Sequence, residues 1–231
     1  MTPALVFDLD GTLVDTAPDL LAALNHALAK EGRPPVAPTN LRELVGRGAR
    51  VLISEAVKMA VGPVEPDMAD RMLDNFLAYY QAHLADHSKP YPGVEDTLDR
   101  LRSAGARMGV LTNKPHELSL LLLAKLRLDT YFVTIFGAGR EAYMKPDPRI
   151  FHDVVREVGG PGKGALMIGD SSTDVETARA AGAPVIVVSF GYTPVPAREL
   201  GADAVVDDFS QIPGVAEDLI ARLDGRRARA L

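Results

Sequence analysis

From Pro90 onward, short apolar runs alternate with longer stretches of helical spacing, and this alternation restricts the fold more than any other feature of the chain. Runs such as Met108 to Leu111, Ala165 to Ile168 and Pro184 to Val188 are apolar at consecutive positions, not at every second one. Strands of that kind are buried on both faces, as in a parallel sheet covered above and below by its crossover helices. The run from Ala4 to Phe7 adds one more such strand at the start of the chain. The expected fold class is α/β, with a doubly wound, Rossmann-like parallel sheet as its core.

The stretch from Asp15 to Lys89 breaks this grammar. It holds no convincing strand, but three or four helical segments, with apolar positions such as Leu20, Leu24 and Leu28, or Met72, Phe76 and Tyr80, at helical spacing. Asp19 is the expected cap of the first helix, and Asn40 to Val45 reads as a short one. We therefore expect a discontinuous α/β core, residues 1–14 and 90–231, with an all-helical cap domain inserted at 15–89. The expected hinges are Val14-Asp15 and Lys89-Pro90. A final helix is expected near Val215 to Leu223, followed by a frayed basic tail.

In a doubly wound sheet the ligand site lies at the carboxyl ends of the strands. Three polar clusters fall there: Asp8 and Asp10, Thr112 and Asn113, and Asp170 and Asp174. Asp8 and Asp10 are two residues apart, so in extended backbone they project the same way. Gly11 then permits a sharp turn. A D-G pair after a strand is also an ordinary turn signal, so the pair alone does not decide. Two crowded acids repel each other, and a divalent cation relieves that repulsion. Asp8, Asp10 and Asp170 form an oxygen-only set that suits Mg²⁺ better than zinc. Lys145 stands in a loop stiffened by Pro146 and Pro148. On spacing alone it is a solvated loop lysine. Aimed inward, it would join Mg²⁺ and Thr112 in neutralising a bound phosphate.

Composition narrows the remaining options. The 231 residues carry 25 basic and 31 acidic side chains, a net charge of −6, which argues against nucleic acid or an anionic membrane as partner. The absence of cysteine excludes disulfides, thiolate zinc sites and cysteine nucleophiles. No apolar window is long enough to span a membrane, so a cytoplasmic protein, monomeric or homodimeric, is expected. The five histidines, scattered over expected helices, read as surface or cap packing.

Four segments occur in an order that is informative as a set: D-x-D-G-T at Asp8, a strand ending in Thr112, Lys145 before a proline, and G-D-x-x-x-D from Gly169 to Asp174. With them, the chain resembles the haloacid dehalogenase superfamily in its phosphatase branch, over essentially its whole length. The resemblance implies that Asp8 is the nucleophile of an aspartyl-phosphate mechanism and that Asp10 is the acid and then the base. It implies that Thr112 binds the phosphoryl oxygens and that Lys145 holds Asp8 and the phosphate. It also implies that Asp170 binds Mg²⁺ with Asp8 and the main-chain carbonyl of Asp10, and that Asp174 positions Lys145 or a metal water. Superfamily dehalogenases lack an acid at the place of Asp10. Softer stretches, Leu44 to Gly48, Leu111 to Lys114, Ser189 to Tyr192 and Leu200 to Asp203, resemble phosphoglycolate phosphatases.

The substrate implied is a small phosphorylated metabolite. Pyrophosphatases, sugar-phosphate phosphatases, nucleotidases and a β-phosphoglucomutase stay open as relatives that use the same core. Arg47, between two glycines of the cap, either pairs with a substrate carboxylate or is a solvated arginine in a helix-breaking turn. Outside the superfamily, a phospho-accepting signalling domain shares the sheet, the clustered aspartates and the lysine, but is much shorter and has no helical insertion.

Overall fold

The computed structural model describes residues 4–37, 48–61, 66–159 and 164–229. Its central strand, β1 (Ala4–Phe7), pairs in parallel with β4 (Arg107–Pro115) on one side and with β6 (Ala165–Gly169) on the other. The sheet continues through β5 (Thr134–Ala138) beyond β4, and through β7 (Val185–Val188) and β8 (Ala204–Val206) beyond β6. All six strands are parallel, in the order β5-β4-β1-β6-β7-β8.

The consecutive apolar runs now have their physical reason. Alternate residues of one strand enter opposite cores: Leu5 and Phe7 pack in one, Ala4 and Val6 in the other. On the first face lie α4 (Val94–Ser103), α5 (His116–Lys125) and α8 (Ile212–Arg229), through Leu98, Leu122 and Ile212. On the second lie α6 (Pro148–Val158) and α7 (Ser172–Ala180), through Phe151, Val154 and Ala178. The sheet is therefore the expected doubly wound one.

Between the first and second strands of the sheet, the chain forms α1 (Ala17–Lys30), α2 (Ala49–Val61) and α3 (Pro66–Ala82). Two short strands flank this helical segment. β2 (Val14–Asp15) and β3 (Lys89–Pro90) pair antiparallel, with Val14 opposite Pro90 and Asp15 opposite Lys89. The outgoing and returning chains thus cross side by side. Within the segment α1 packs on α3, where the rings of His26 and Tyr79 stack at 4.3 Å and those of Tyr79 and His83 at 4.2 Å.

Several expectations change. Asp19 does not cap α1. The helix begins at Ala17 with Thr16 at its N-cap, and the Asp19 carboxylate reaches across to the returning chain. It accepts hydrogen bonds from the backbone N–H of His87 (3.0 Å) and of Ser88 (2.8 Å), and from the Ser88 hydroxyl (2.6 Å). Strand β4 runs through Thr112, Asn113 and Lys114 to Pro115, because β5 accompanies it as far as Ala138. Helix α8 continues to Arg229, where a frayed tail was expected. Its added residues at that end include Ala228 and three arginines, all good helix formers. The expected short helix at Asn40 to Val45, and Arg47, lie outside the described residues. Among the described residues no helix is long and apolar enough to cross a membrane.

Candidate active site

Strand register brings the polar clusters to one edge. Phe7 pairs with Val110 on one side and Ile168 on the other. Asp8 follows Phe7 directly, and Thr112 and Asp170 stand two residues beyond Val110 and Ile168, so all three gather at the carboxyl end of the three central strands. The backbone N–H of Asp8 still bonds the carbonyl of Ile168 at 2.8 Å, which fixes the start of the loop.

Asp8 is buried. Its Oδ1 accepts the N–H of Leu9 at 2.7 Å and faces Lys145 Nζ at 3.0 Å. Its Oδ2 accepts no hydrogen bond among the described residues. Burial, opposed by Lys145 and reinforced by the charge of Asp174, pushes the carboxyl up to about 7. Lys145 is not the solvated loop lysine that spacing alone suggests. Its side chain is buried between Asp8 and Asp174, the latter at 2.6 Å. Burial would lower its pKa, but the charges of Asp174 and Asp8 overcome that and raise it, so the ammonium stays charged.

Asp170 accepts the Thr12 hydroxyl at 3.0 Å on Oδ1 and the Tyr192 N–H at 2.6 Å on Oδ2. Burial first, then the charges of Asp174 and Asp8, raises its carboxyl well above the usual range. Two glycines make this packing possible. At Gly11, whose φ is +84°, a Cβ would stand 2.4 Å from Asp170 Oδ2, and at Gly191 it would stand 2.2 Å from the Asp170 Cβ. Asp174, in the first turn of α7, has both oxygens engaged. Oδ1 takes Lys145, while Oδ2 accepts the N–H groups of Asp170 and Ser171 and the Ser171 hydroxyl. It reaches back over the helix start as the acid of a capping box does.

Asp8, Asp170 and Asp174 bring one carboxylate oxygen each within 4.8 Å of one another. Three buried acids stand against one ammonium, and burial first, with the neighbouring acid charges added, raises the carboxyls of Asp8 and Asp170. A divalent cation at this cluster fits that charge and the oxygen-only donor set.

Asp10 turns elsewhere. Its Oδ1 accepts the Thr16 hydroxyl at 2.8 Å and Lys114 Nζ at 3.1 Å. Asp8 and Asp10 thus line one cavity but bind different lysines. Thr112 accepts the Lys114 N–H at 3.2 Å on its hydroxyl oxygen, which leaves the hydroxyl proton to donate. Asn113 donates to the Lys145 carbonyl at 3.1 Å and so ties strand β4 to the lysine loop.

Sequence reasoning did not single out Lys114, Tyr80, Thr12, Thr16 or Tyr192. Lys114 Nζ donates to Tyr80 Oη at 2.5 Å, a contact between β4 and α3 that no local pattern shows. Tyr192 donates its hydroxyl to Asp15 at 2.5 Å and accepts the Ala17 N–H at 2.9 Å, joining the loop after β7 to the start of the helical segment. The signal available for Lys114 and Tyr192 was their place in polar stretches at strand ends. Tyr80 was hidden in an apolar stripe.

The cavity above the site measures about 40 Å³ to the centres of water-sized spheres, room for a few waters. Asp8, Asp10, Thr112 and Lys114 line it from the sheet, and Leu52 of α2 and Tyr80 of α3 roof it.

Comparison with known proteins agrees with this geometry. The family model described as haloacid dehalogenase-like hydrolase matches residues 5–188. A phosphoglycolate phosphatase of Agrobacterium fabrum is 42% identical over 223 residues, 96% of each chain. One of Caulobacter vibrioides is 45% identical over 209 residues, 90% of this chain and 88% of its own. The crystal structure of a predicted phosphoglycolate phosphatase from Haemophilus somnus superposes with a TM-score of 0.88 at 31% identity, covering 93% of this chain and 98% of that one.

Proposed function

The chain belongs to the haloacid dehalogenase-like hydrolases and is a phosphoric monoester hydrolase, and from that premise we propose that it converts 2-phosphoglycolate to glycolate and phosphate through an aspartyl-phosphate on Asp8. The observation that carries the chemistry is the Asp8 carboxylate itself. One oxygen is held by Lys145 and Leu9 while the other accepts no hydrogen bond among the described residues, and the whole group lines a small cavity with a second acid beside it. Relatives named phosphoglycolate phosphatase that match nearly the whole chain support the choice of substrate.

In the first step Asp8 Oδ2 attacks phosphorus, and the bond from phosphorus to the ester oxygen breaks. Asp10 gives its proton to the departing alkoxide. In the second step Asp10 takes a proton from water as that water attacks phosphorus, and Asp8 is released. Lys145 holds Asp8 in line and faces the phosphoryl oxygens, to which Thr112 donates its hydroxyl proton. Asp174 spends both oxygens on Lys145 and the α7 start, so it positions the lysine. Asp8, Asp170 and the main-chain carbonyl of Asp10 would hold Mg²⁺, which supplies neutralisation of charge on the phosphoryl group. Residues 15–89 act as a cap hinged at the β2–β3 crossing, and closure keeps water from the first step.

The test is phosphate release from 2-phosphoglycolate, pyrophosphate, β-glucose 1-phosphate, a sugar 6-phosphate and a nucleoside monophosphate, with and without Mg²⁺, beside Asp8→Asn. We expect a preference for 2-phosphoglycolate that depends on Mg²⁺ and disappears in the variant. Turnover surviving in Asp8→Asn would falsify the nucleophile assignment, and preference for another ester would replace the substrate.

A further inference from the structure

We propose that Lys114 and Tyr80 form the receptor for the carboxylate of the substrate, a two-part site shared by the sheet and the cap. The inference rests on the phosphatase reading of Asp8 and adds the group that selects short phosphorylated carboxylic acids over other esters.

Lys114 is a second buried ammonium in the cavity, and the phosphoryl chemistry does not account for it. Its side chain is 2% exposed, among Leu20, Leu52, Phe76 and Leu118. Desolvating an ammonium against apolar walls is costly unless a counter-charge meets it. Asp10 meets it at 3.1 Å through Oδ1 and more loosely at 3.4 Å through Oδ2, and supplies that counter-charge only when it does not carry the proton for the leaving group. Asp10 also has Thr16 as a donor, so its own hydrogen bonding does not depend on the lysine alone. An acceptor entering the cavity could take the N–H now shared with the longer contact.

Tyr80 is the second observation. Its residue is 1% exposed, its oxygen accepts from Lys114 Nζ, and the ammonium lies 4.4 Å from its ring centroid. The phenol is held protonated, since burial and the charges of Asp10 and Asp19 push its pKa well above the usual value. That proton has no acceptor among the described residues. Its oxygen already accepts from Lys114 and lines the cavity, so the phenol proton is left to donate to a ligand there. The ligand it asks for is an acceptor, and beside an ammonium that acceptor is an anion.

Spacing agrees with a two-carbon acid. Thr112 and Lys114 both line the cavity and, two residues apart where the pairing of β4 with β5 is irregular, stand at most about 7 Å apart along the chain. That is of the order of the length of a two-carbon phospho-acid, with its phosphoryl group at Asp8 and Thr112 and its carboxylate at Lys114 and Tyr80. The cap also reads the substrate, because Tyr80 belongs to α3 and Lys114 to the sheet.

The test compares 2-phosphoglycolate with ethyl phosphate, in which a methyl group replaces the carboxylate. kcat and KM are measured for wild type, Tyr80→Phe and Lys114→Met. The quantity read is the ratio of kcat/KM for the two esters. We expect Tyr80→Phe to lower that ratio about tenfold, mainly through KM for 2-phosphoglycolate. Lys114→Met should lower it about a hundredfold. A ratio unchanged in Tyr80→Phe overturns the receptor, and so does a parallel loss on both esters, which would make Lys114 a support for Asp10 alone. Tyr80→Phe keeps the ring and its packing, so it decides the question even if Lys114→Met fails to fold. Wild type releasing phosphate from neither ester would refute the phosphatase reading, a result distinct from loss of selectivity.

Discussion

Lys145→Met removes the one ammonium that stands between Asp8 and Asp174 while keeping a side chain of similar length, so charge is lost and little volume. The two ion pairs span 3.0 and 2.6 Å, and none of the three side chains is more than 3% exposed. Solvent therefore screens them little. Breaking a buried pair by deleting one partner costs about 3–5 kcal/mol, because the carboxylate left behind stays desolvated. Against a typical total of about 5–15 kcal/mol this is roughly a fifth or more of the stability. For a chain of this size it lowers Tm by roughly 6–20 °C. The same deletion makes the Asp8, Asp170 and Asp174 cluster more negative and a better cation site, so Mg²⁺ should raise the Tm of the variant more than that of wild type. Activity should not recover with stability, and kcat should stay lower by about 10²–10³-fold, the usual cost of losing a donor to developing charge. Thermal unfolding of both proteins, with EDTA and with Mg²⁺, reads the first effect, and phosphate release reads the second. A metal-free Tm within about 2 °C of wild type, or equal Mg²⁺ shifts in the two proteins, would refute the charge-balance argument.

Two other outcomes follow from the same structure. The Asp8 carboxyl is raised from 3.8 to about 7, so between those values the folded protein binds a proton that the unfolded chain has lost. Metal-free stability therefore falls as pH rises from about 4 to about 7, and Asp170 adds to this with the same sign. Mg²⁺ competes with those protons, so its Tm increase should be larger at pH 8 than at pH 5; equal increases would contradict the assignment of the cluster. Asp19→Ala should lower Tm by about 6–12 °C, because it leaves the His87 and Ser88 N–H groups without their acceptor at a cost of about 3 kcal/mol. An unchanged Tm would show that the crossing of the two linkers is held elsewhere.

The sequence by itself determined the sheet and the chemistry class. Consecutive apolar runs specify strands buried on both faces, because that property is written into neighbouring residues. A parallel sheet then delivers the strand ends to one edge, so Asp8, Thr112 and Asp170 could be grouped without coordinates. Lys145 joined them only through an ordered set of four motifs, since its own spacing fits a solvent-exposed loop as well. Tertiary structure alone decided the partnerships. Asp8 and Asp10 leave the same strand end, yet one meets Lys145 and the other Lys114. Asp19 looks like a helix cap in a local reading but binds residues 68 and 69 positions away. Tyr80 fits the apolar stripe of its helix as well as Phe76 does, and only the packing of α3 over β4 sets its hydroxyl beside an ammonium 34 residues further on. Periodicity reports which face of an element is apolar. It carries no information about which buried polar atom meets which, because that depends on the relative placement of elements far apart in the chain.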